Sequence, residues 1–403
     1  MTLILGLGLL VLALIALGVV EHTLHARRLA IIPIRVHVNG TRGKSSIVRL
    51  IAAGLRAHGI RTYAKTTGSL PRVIAADGAE FPIHRPGLTN VIEQRRIIDI
   101  AANEGAEAIV LECMALQPAL QSLCELKIVR STHGVISNAR PDHLDVMGPS
   151  QRDVALALLG TTPVKGTLFT AEGEHLPLFE AACADRKSAL VALGAKAAES
   201  ISDEEMSRFS YIEHKENVAL ALAVTQAIGV PRDVALAGMY RAQPDVGALR
   251  EFELEFFGRQ VVFVNGFAAN DPISTERIWN LTLERHPEAR TRILVLNCRL
   301  DRPDRSRQLG EALPSWVPAH QYLLMGTGTY ALARTAVAGG IRSTQLTPLE
   351  GENAPAVFEA IMGACGRRSL VMGAGNIGGA GLELLKYFQN RATLPDIDEA
   401  HAA

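Results

Sequence analysis

The sequence predicts an α/β protein in three parts: an N-terminal helix of membrane-crossing character, a larger domain on a central parallel sheet, and a smaller α/β domain at the C-terminus. Three observations predict it. Leu3 to Val20 is an uninterrupted apolar run. Ile34 to Gly59 reads as strand, glycine loop and helix. From about Arg250 onward, short β-branched strands alternate with helical stretches, the rhythm of a parallel sheet. At 403 residues the chain can bury a sizeable core and is too long for one average domain. The expected division is 1–30 for the helix and its flank, 31–245 for the first domain, 246–393 for the second and 394–403 for a short acidic tail.

The eighteen residues LILGLGLLVLALIALGVV carry no charge, and at 1.5 Å per residue they span roughly 27 Å, close to the hydrocarbon thickness of a bilayer. Arg27, Arg28 and Arg35 follow, so the positive-inside rule places the rest of the chain in the cytoplasm. A cleaved signal peptide would need a basic residue before the run and a clear small-x-small site after Val20; neither is present. A buried core helix is the other alternative. Lysine plus arginine equals aspartate plus glutamate at 41 each, and aromatics are 5%, so no basic stripe marks a nucleic-acid surface. Cys113, Cys124, Cys183, Cys298 and Cys365 are widely spaced, which argues against a zinc ribbon or a disulfide scaffold and suits a reducing compartment.

The run Ile34-Arg35-Val36-His37-Val38 leads into Asn39-Gly40-Thr41-Arg42-Gly43-Lys44-Ser45-Ser46. Ile47, Leu50, Ile51 and Leu55 then recur at helical spacing. Glycines at 40 and 43 let backbone N–H groups close on phosphate oxygens, and the helix N-terminus adds partial positive charge. Lys44 would bridge the β- and γ-phosphates of ATP and Ser45 would ligate Mg²⁺. Val38 stands where the commonest phosphate loop has glycine, so this is the shorter GTxGKS form. By itself it means nucleotide binding and leaves the reaction open; a glycine turn with an incidental lysine is the bland alternative.

Downstream, Val91 to Asn103 has helical spacing, and the segment from Ala106 to Met114 reads as an apolar strand that ends in a carboxylate, Glu112. Strand C-termini form the ligand crevice of a parallel sheet, which makes Glu112 the first candidate for a metal carboxylate over an ordinary strand-end glutamate. A second strand, Gly134 to Asn138, precedes Asp142-His143-Leu144-Asp145, in a loop bounded by Pro141 and Gly148. Carboxylates and an imidazole beside a phosphate site suit a second Mg²⁺ or a bridging role, the alternative being a solvated loop. Thr66-Thr67-Gly68-Ser69 also stands to line the site, Thr67 as a substrate contact.

In the C-terminal half, Val261–Val264, Arg292–Leu296, Tyr322–Met325 and Ser369–Met372 read as buried strands of a Rossmann-like sheet. Gly373-x-Gly375-Asn376-x-Gly378-Gly379 invites a dinucleotide reading, but no acidic residue about 20 positions on opens a further βαβ unit, so a close-packed helix entry is preferred. Arg299 and Arg302, just past a strand end, could clamp carboxylates of a substrate, or could belong to a salt-bridged surface loop. Arg250 is a candidate interdomain arginine.

Taken together, GTRGKSS, the strand ending in Glu112 and Asn138-x-x-x-Asp142-His143-Leu144-Asp145 resemble the Mur ligase superfamily, which includes the peptidoglycan amino-acid ligases and folylpolyglutamate synthase. His214-Lys215-Glu216-Asn217 is similar to its HNxxN helix start, and Phe267-Ala268-Ala269-Asn270-Asp271-Pro272 to its DxAHNP segment, with Asn265 in place of aspartate and Ala269 in place of histidine. Within it, AKTTGS, IVLECMALQP, GVISNARPDHLDVMGPS, PDVGALR, FVNGFAANDPIST, NCRLDRPDR and VMGAGNIGGAG resemble the ligase-subunit family of bacterial poly-γ-glutamate synthases, the PgsB/CapB type, from about residue 34 to 388.

The resemblance implies a Mur-ligase-like ATPase domain and an enzyme that polymerises glutamate through its γ-carboxyl via an acyl phosphate, for a capsule or secreted polymer. It also implies ATP on residues 39–46 with Asn217 and Asn270, and Mg²⁺ on Ser45 and Glu112, with His143 on a second ion. The site would lie on the cytoplasmic side of the cell membrane, beside small membrane partner subunits. Peptidoglycan ligases carry a UDP-sugar domain before the phosphate loop, and here the loop follows the apolar helix directly. The rival readings are a membrane-tethered ATPase that drives a partner and a folylpolyglutamate-like small-molecule ligase.

Overall fold

The computed structural model describes residues 2–68, 70–85, 90–269 and 271–392. It divides into two compact units, Met1–Asp245 and Val246–Ala403. Asn270 and the tail 394–403 fall outside the described residues.

The first unit carries eight strands: β1 (Ile34–Asn39), β2 (Thr62–Thr66), β3 (Arg72–Ile74), β4 (Glu80–Pro82), β5 (Ala108–Glu112), β6 (His133–Ile136), β7 (Thr167–Thr170) and β8 (Ala189–Ala192). Their order is β4-β3-β2-β5-β1-β6-β7-β8. The six strands from β2 to β8 in that order run parallel, and β3 and β4 form an antiparallel extension at one edge. β1 lies in the middle with Val38 opposite Glu112 and Asn39 opposite Ile136. The loops after β1, β2, β5 and β6 therefore emerge at one edge, the ligand edge of a parallel sheet. The short β3–β4 pair, rich in turn and charged residues, had no strand signal of its own.

Helix α1 (Thr2–Ile31) is long and apolar enough to cross a membrane, and none of its apolar window is buried, which sets aside the core-helix reading. Its last turns behave differently. His25 and Leu29, with Ile32 just beyond, are buried, and the His25 ring bonds the Ile128 carbonyl at 2.8 Å. Leu29 and Ile32 join Ile97, Ile98, Ile109 and Leu111 in one core cluster. Arg28 pairs with Asp99 at 2.7 Å, and Arg95 pairs with Glu21, tying α1 to helix α3 (Ile92–Asn103).

Helix α2 (Lys44–Ala57) is buried continuously from Ile47 to Leu55. One face covers the sheet and the other is covered by helices Lys215–Ala227 and Arg232–Tyr240. Small residues allow that approach: a Cβ on Gly238 would stand 2.4 Å from the Ala53 carbonyl oxygen. Under the sheet, the His37 Nδ1 meets the Glu125 carboxylate at 2.8 Å, both side chains being essentially unexposed. The other Glu125 oxygen takes the Ser131 N–H and hydroxyl, each at 2.8 Å.

The second unit holds β9 (Glu251–Phe256), β10 (Arg259–Asn265), β11 (Thr291–Cys298), β12 (Gln321–Gly326), β13 (Leu346–Glu350) and β14 (Arg368–Gly375). Their order is β13-β12-β11-β14-β10-β9, parallel except for β9. The four strands read from sequence are the interior ones, β10, β11, β12 and β14. The two edges, β9 with its Glu251, Glu253 and Glu255 and β13 with Pro348, lack a continuous apolar run. Phe263 stacks on Phe388 at 3.8 Å between ring centroids, at the heart of this core. The C-terminal glycines are accounted for by packing: a Cβ on Gly373 would sit 2.5 Å from the Phe267 ring, and on Gly375 2.6 Å from the Asn297 carbonyl oxygen.

The His37–Glu125 pair makes the first unit's stability pH-dependent. Burial opposes a charged imidazole, but the neighbouring Cys113 and Cys124 sulfurs and the Glu125 carboxylate outweigh it and hold the His37 pKa well above 6.5. A raised folded-state pKa contributes stability that is complete below about 6.5 and is lost as pH climbs through the raised value. Denaturant unfolding at stepped pH from 6 upward should show this loss for the wild type and a flatter profile for His37→Gln. Parallel profiles would remove the pair from the account.

Candidate active site

The phosphate loop is shaped by its glycines and by what lies over them. Gly40 (φ 127°) and Gly43 (φ 84°) take conformations that other residues rarely adopt. A Cβ on Gly40 would fall 2.0 Å from the Ser137 hydroxyl, and one on Gly43 2.5 Å from the Asn217 side-chain oxygen. Asn217 lies on the first turn of helix Lys215–Ala227, where its amide donates to Glu213 at 2.8 Å. Sequence-distant Ser137 and Asn217 thus flank the loop. The Thr41 hydroxyl and the Arg42 N–H both donate to the Asn138 side-chain oxygen, at 2.6 and 3.1 Å. The Ser137 hydroxyl and the Asn138 amide donate to the Arg42 carbonyl, at 2.6 and 3.2 Å. The Lys44 ammonium folds over the loop onto the carbonyls of Gly40 and Thr41, at 2.6 and 3.3 Å. Ser46 lies on the first turn of α2.

Asn39 behaves otherwise. Its buried amide points into the fold, donating to Gln121 at 2.7 Å and to Thr161 at 3.1 Å.

Glu112 ends β5 and is 2% exposed. One oxygen accepts from the Ser45 hydroxyl at 2.8 Å and from the Thr67 N–H at 2.7 Å. Gly68 passes so close that a Cβ there would be 2.6 Å from the Ser45 hydroxyl. Three segments therefore converge on one carboxylate: the loop helix, the turn after β2 and the end of β5. Behind it, the Gln94 amide donates to the Glu112 carbonyl at 2.7 Å and accepts from Lys65 at 3.0 Å. Lys65 is fully buried and pairs with Glu93 at 2.7 Å, and Glu93 also takes both arms of Arg85. Burial draws the Lys65 pKa below its ordinary value, against the pull of Glu93. This Lys65–Glu93–Gln94 support was not read from sequence; a lone lysine inside an apolar strand was its one available signal.

The segment 142–145 is not all loop, since Leu144–Met147 forms one helical turn with His143 before it in a left-handed conformation (φ 47°). His143 stands 3.8 Å from Asp142, and Asp142 4.0 Å from the Arg42 guanidinium, which brings the histidine to the phosphate loop. A buried carboxylate and a hydroxyl in contact at Glu112 and Ser45 form a hard oxygen pair that suits Mg²⁺. Among the described residues no group of three or more His, Cys, Asp or Glu is arranged to hold a metal by itself. Mg²⁺ in phosphoryl-transfer sites typically takes few protein ligands beside substrate phosphates, so the donor set fits such an ion.

In the second unit, Arg250 lies 5.9 Å over the Phe252 ring. Arg299 pairs with Asp301 through two nitrogens, at 2.9 and 2.7 Å, and Arg302 precedes helix Pro303–Ala312. Asn297, at the end of β11, donates to the Gly378 carbonyl at 3.1 Å, joining this segment to the glycine turn after β14. Asn265, at the end of β10, donates to the carbonyls of Val246 and Ala248 at 3.1 and 3.0 Å.

Comparison with known proteins places these features in a family. Residues 38–242 match the Mur ligase middle domain, and residues 252–391 match the poly-gamma-glutamate synthase CapB C-terminal domain. The chain is 36% identical to the capsule biosynthesis protein CapB of Bacillus anthracis, over 94% of this chain and 81% of that one. It is 34% identical to the PGA synthase CapB of Bacillus subtilis, over 93% and 94%. Among solved structures, E. coli FolC in complex with ADP shares the fold with a TM-score of 0.70 at 17% identity, over 92% of this chain and 93% of that one. The Yersinia pestis folylpolyglutamate synthase/dihydrofolate synthase complexed with AMPPNP and Mn ion gives 0.68 at 15%, over 92% of each. The chain belongs to the CapB family of Mur-type ligases, and it is an ATP-dependent amide ligase.

Proposed function

We propose that this enzyme polymerises glutamate through the γ-carboxyl, using ATP and Mg²⁺, while α1 tethers it to the cell membrane with the catalytic units in the cytoplasm. The observation that carries the reading is the convergence of Ser45, Thr67 and Glu112 at the mouth of a glycine-shaped phosphate loop, in a chain of the CapB family. The phosphates of ATP rest on residues 40–46 with Asn217 toward the nucleotide, Asn270 is assigned to ATP by the family resemblance alone, and Asn39 shapes the loop from beneath. Ser45 and Glu112 would hold Mg²⁺, with His143 toward a second ion, supplying charge neutralisation to the transferring phosphoryl group.

A glutamate γ-carboxylate oxygen attacks the γ-phosphorus and ADP leaves, giving an acyl phosphate. The amine of the next glutamate attacks the acyl carbon. Phosphate leaves, one proton is lost from nitrogen, and a γ-amide remains. Lys44 exchanges the loop carbonyls it now holds for phosphate oxygens, a charge-assisted bond for a neutral one. Arg250, Arg299 and Arg302 are the cations we assign to nucleotide and substrate carboxylates, Arg299 by exchanging Asp301 for substrate. A long polyanionic product needs a way across the bilayer that one helix does not supply, so small membrane partner subunits are inferred.

Membranes expressing this chain with its genomic neighbours should incorporate labelled glutamate into protease-resistant polymer when given ATP. Lys44→Ala and Glu112→Ala should each lower incorporation by about 10²–10³-fold, as loss of a group facing developing charge does. ATP hydrolysis indifferent to glutamate, with no polymer, would leave the tethered ATPase instead; stimulation by pterin-linked acceptors alone would favour the folate-type ligase. Gly43→Ala forces a left-handed alanine against Asn217, and ATP affinity by calorimetry should fall about tenfold or more. Wild-type affinity in that variant would show that the nucleotide does not depend on this loop shape.

A further inference from the structure

A cavity of about 660 Å³, lined by no residue of the phosphate loop, opens on the first unit, within the range of small-ligand sites. Its floor is apolar, formed by Tyr63, Val73 and Ile97, of which Tyr63 and Ile97 are buried. Its wall includes Phe81 and Ile92, which are 56% and 54% exposed, an unusual amount for large apolar groups at a concave surface. Arg96 and His84 are exposed at the mouth, Arg85 and Glu93 pair with each other within the lining, and Glu104 stands eight residues beyond Arg96, roughly 12 Å further along α3.

The position of this cavity is set by α1. Arg95 reaches the carboxylate and carbonyl of Glu21, and Arg28 reaches Asp99. The last third of α1 and α3 therefore run side by side in the same direction, with Arg95 level with Glu21, the first charged residue after the apolar run that ends at Val20. Ile92 precedes Arg95 by three residues, so it stands roughly 4.5 Å further toward the apolar end of α1. If α1 spans a bilayer, the mouth of the cavity, with Ile92, Phe81 and Arg96, stands at the level where headgroups meet acyl chains.

We propose that this cavity binds an anionic phospholipid of the bilayer, its acyl chain on the floor at Val73 and Ile97 and its headgroup on Arg96 and His84. The proposal rests on the membrane reading of α1 given above. The volume suits a small ligand rather than a helix of a partner, and an apolar floor with Arg96 and His84 at the membrane-side mouth matches an acyl chain with an anionic head. Binding here would fix the height and tilt of the catalytic unit over the membrane, which a single helix leaves free.

The test uses the full chain in nanodiscs containing phosphatidylglycerol with a photoactivatable diazirine in its acyl chain, and adducts mapped by peptide mass spectrometry. Adducts on residues 73–83 and 92–100, beside those on α1, are expected. They should fall about fivefold in Arg96→Gln, the loss of one membrane-facing arginine, and in Val73→Phe, which fills the floor. Because Val73→Phe alters packing, the exposed Arg96→Gln carries the decision if the former melts early. Adducts along α1 alone would overturn the lipid site and leave the membrane reading intact. Equal cavity labelling by the phosphatidylcholine analogue would overturn the anionic specificity. Absence of α1 adducts, with the protein released from membranes by carbonate, would overturn both readings.

Discussion

The buried carboxylate of Glu112 is the constraint on which the first unit's site depends. A charge held at 2% exposure is tolerated only where hydrogen bonds replace water. Here those bonds come from the Ser45 hydroxyl and the Thr67 N–H. Each donor belongs to a different connection of the sheet, so both bonds form only if β1, β2 and β5 are in register. The central place of β1, with Val38 opposite Glu112, supplies that register. The same alignment puts Ser137 and Asn138, at the end of β6, against the opposite side of the loop. Register, loop shape and carboxylate position are thus one property seen from three sides.

What could be read from the chain alone follows how local each signal is. Gly40, Gly43 and Lys44 sit within eight residues of one another in a strand–loop–helix setting, so the loop was legible, and Glu112 was legible because a carboxylate after an apolar strand is conspicuous. Asn39 was read with the loop, yet its amide turns inward to Gln121 and Thr161, partners more than eighty positions away that no local pattern announces. Lys65, Glu93 and Gln94 were silent for the same reason. Their meaning appears only when β2 and α3 pack, and then a fully buried ammonium is held by Glu93 and Gln94 one bond behind Glu112. Arg299 was seen as a cation at a strand end, but its bidentate pairing with Asp301, two residues on, depends on how that loop turns. In the fold, β1, β5, β6 and the four interior strands of the second sheet declared themselves by apolar runs, whereas the edge strands β4, β9 and β13, and β3 beside β4, are short, charged or proline-bearing, as strands at a solvent-exposed edge tend to be.

The end of α1 gives the N-terminal helix a second property. A helix joined through a flexible linker would leave the catalytic unit free to rotate. Here the helix runs without a break into the core cluster of Leu29, Ile32, Ile97 and Ile98, and two arginine–carboxylate pairs lock it to α3. Exposed ion pairs contribute little singly, so the rigidity comes chiefly from the buried leucine and isoleucines, with the pairs fixing rotation about the helix axis. Any tilt of α1 is therefore passed to the sheet that carries the phosphate loop.

Asn265 shows how a departure from the wider superfamily can have a structural cause. The resemblance places an aspartate at this position elsewhere. Here the side chain, 1% exposed, donates two hydrogen bonds to the carbonyls of Val246 and Ala248, where the second unit begins. An ionised aspartate can only accept; in its place two carbonyl oxygens would face a carboxylate with no proton between them, and a buried charge would lack its bonds. The amide is thus required by the path of the chain from residue 246 to 248. That path in turn sets where Arg250 leads into β9, since the Arg250 carbonyl accepts from the Asn265 N–H at 2.8 Å. Asn265 therefore positions Arg250 by holding the backbone before it and at its own carbonyl, and an acid in its place would break the segment that carries the arginine.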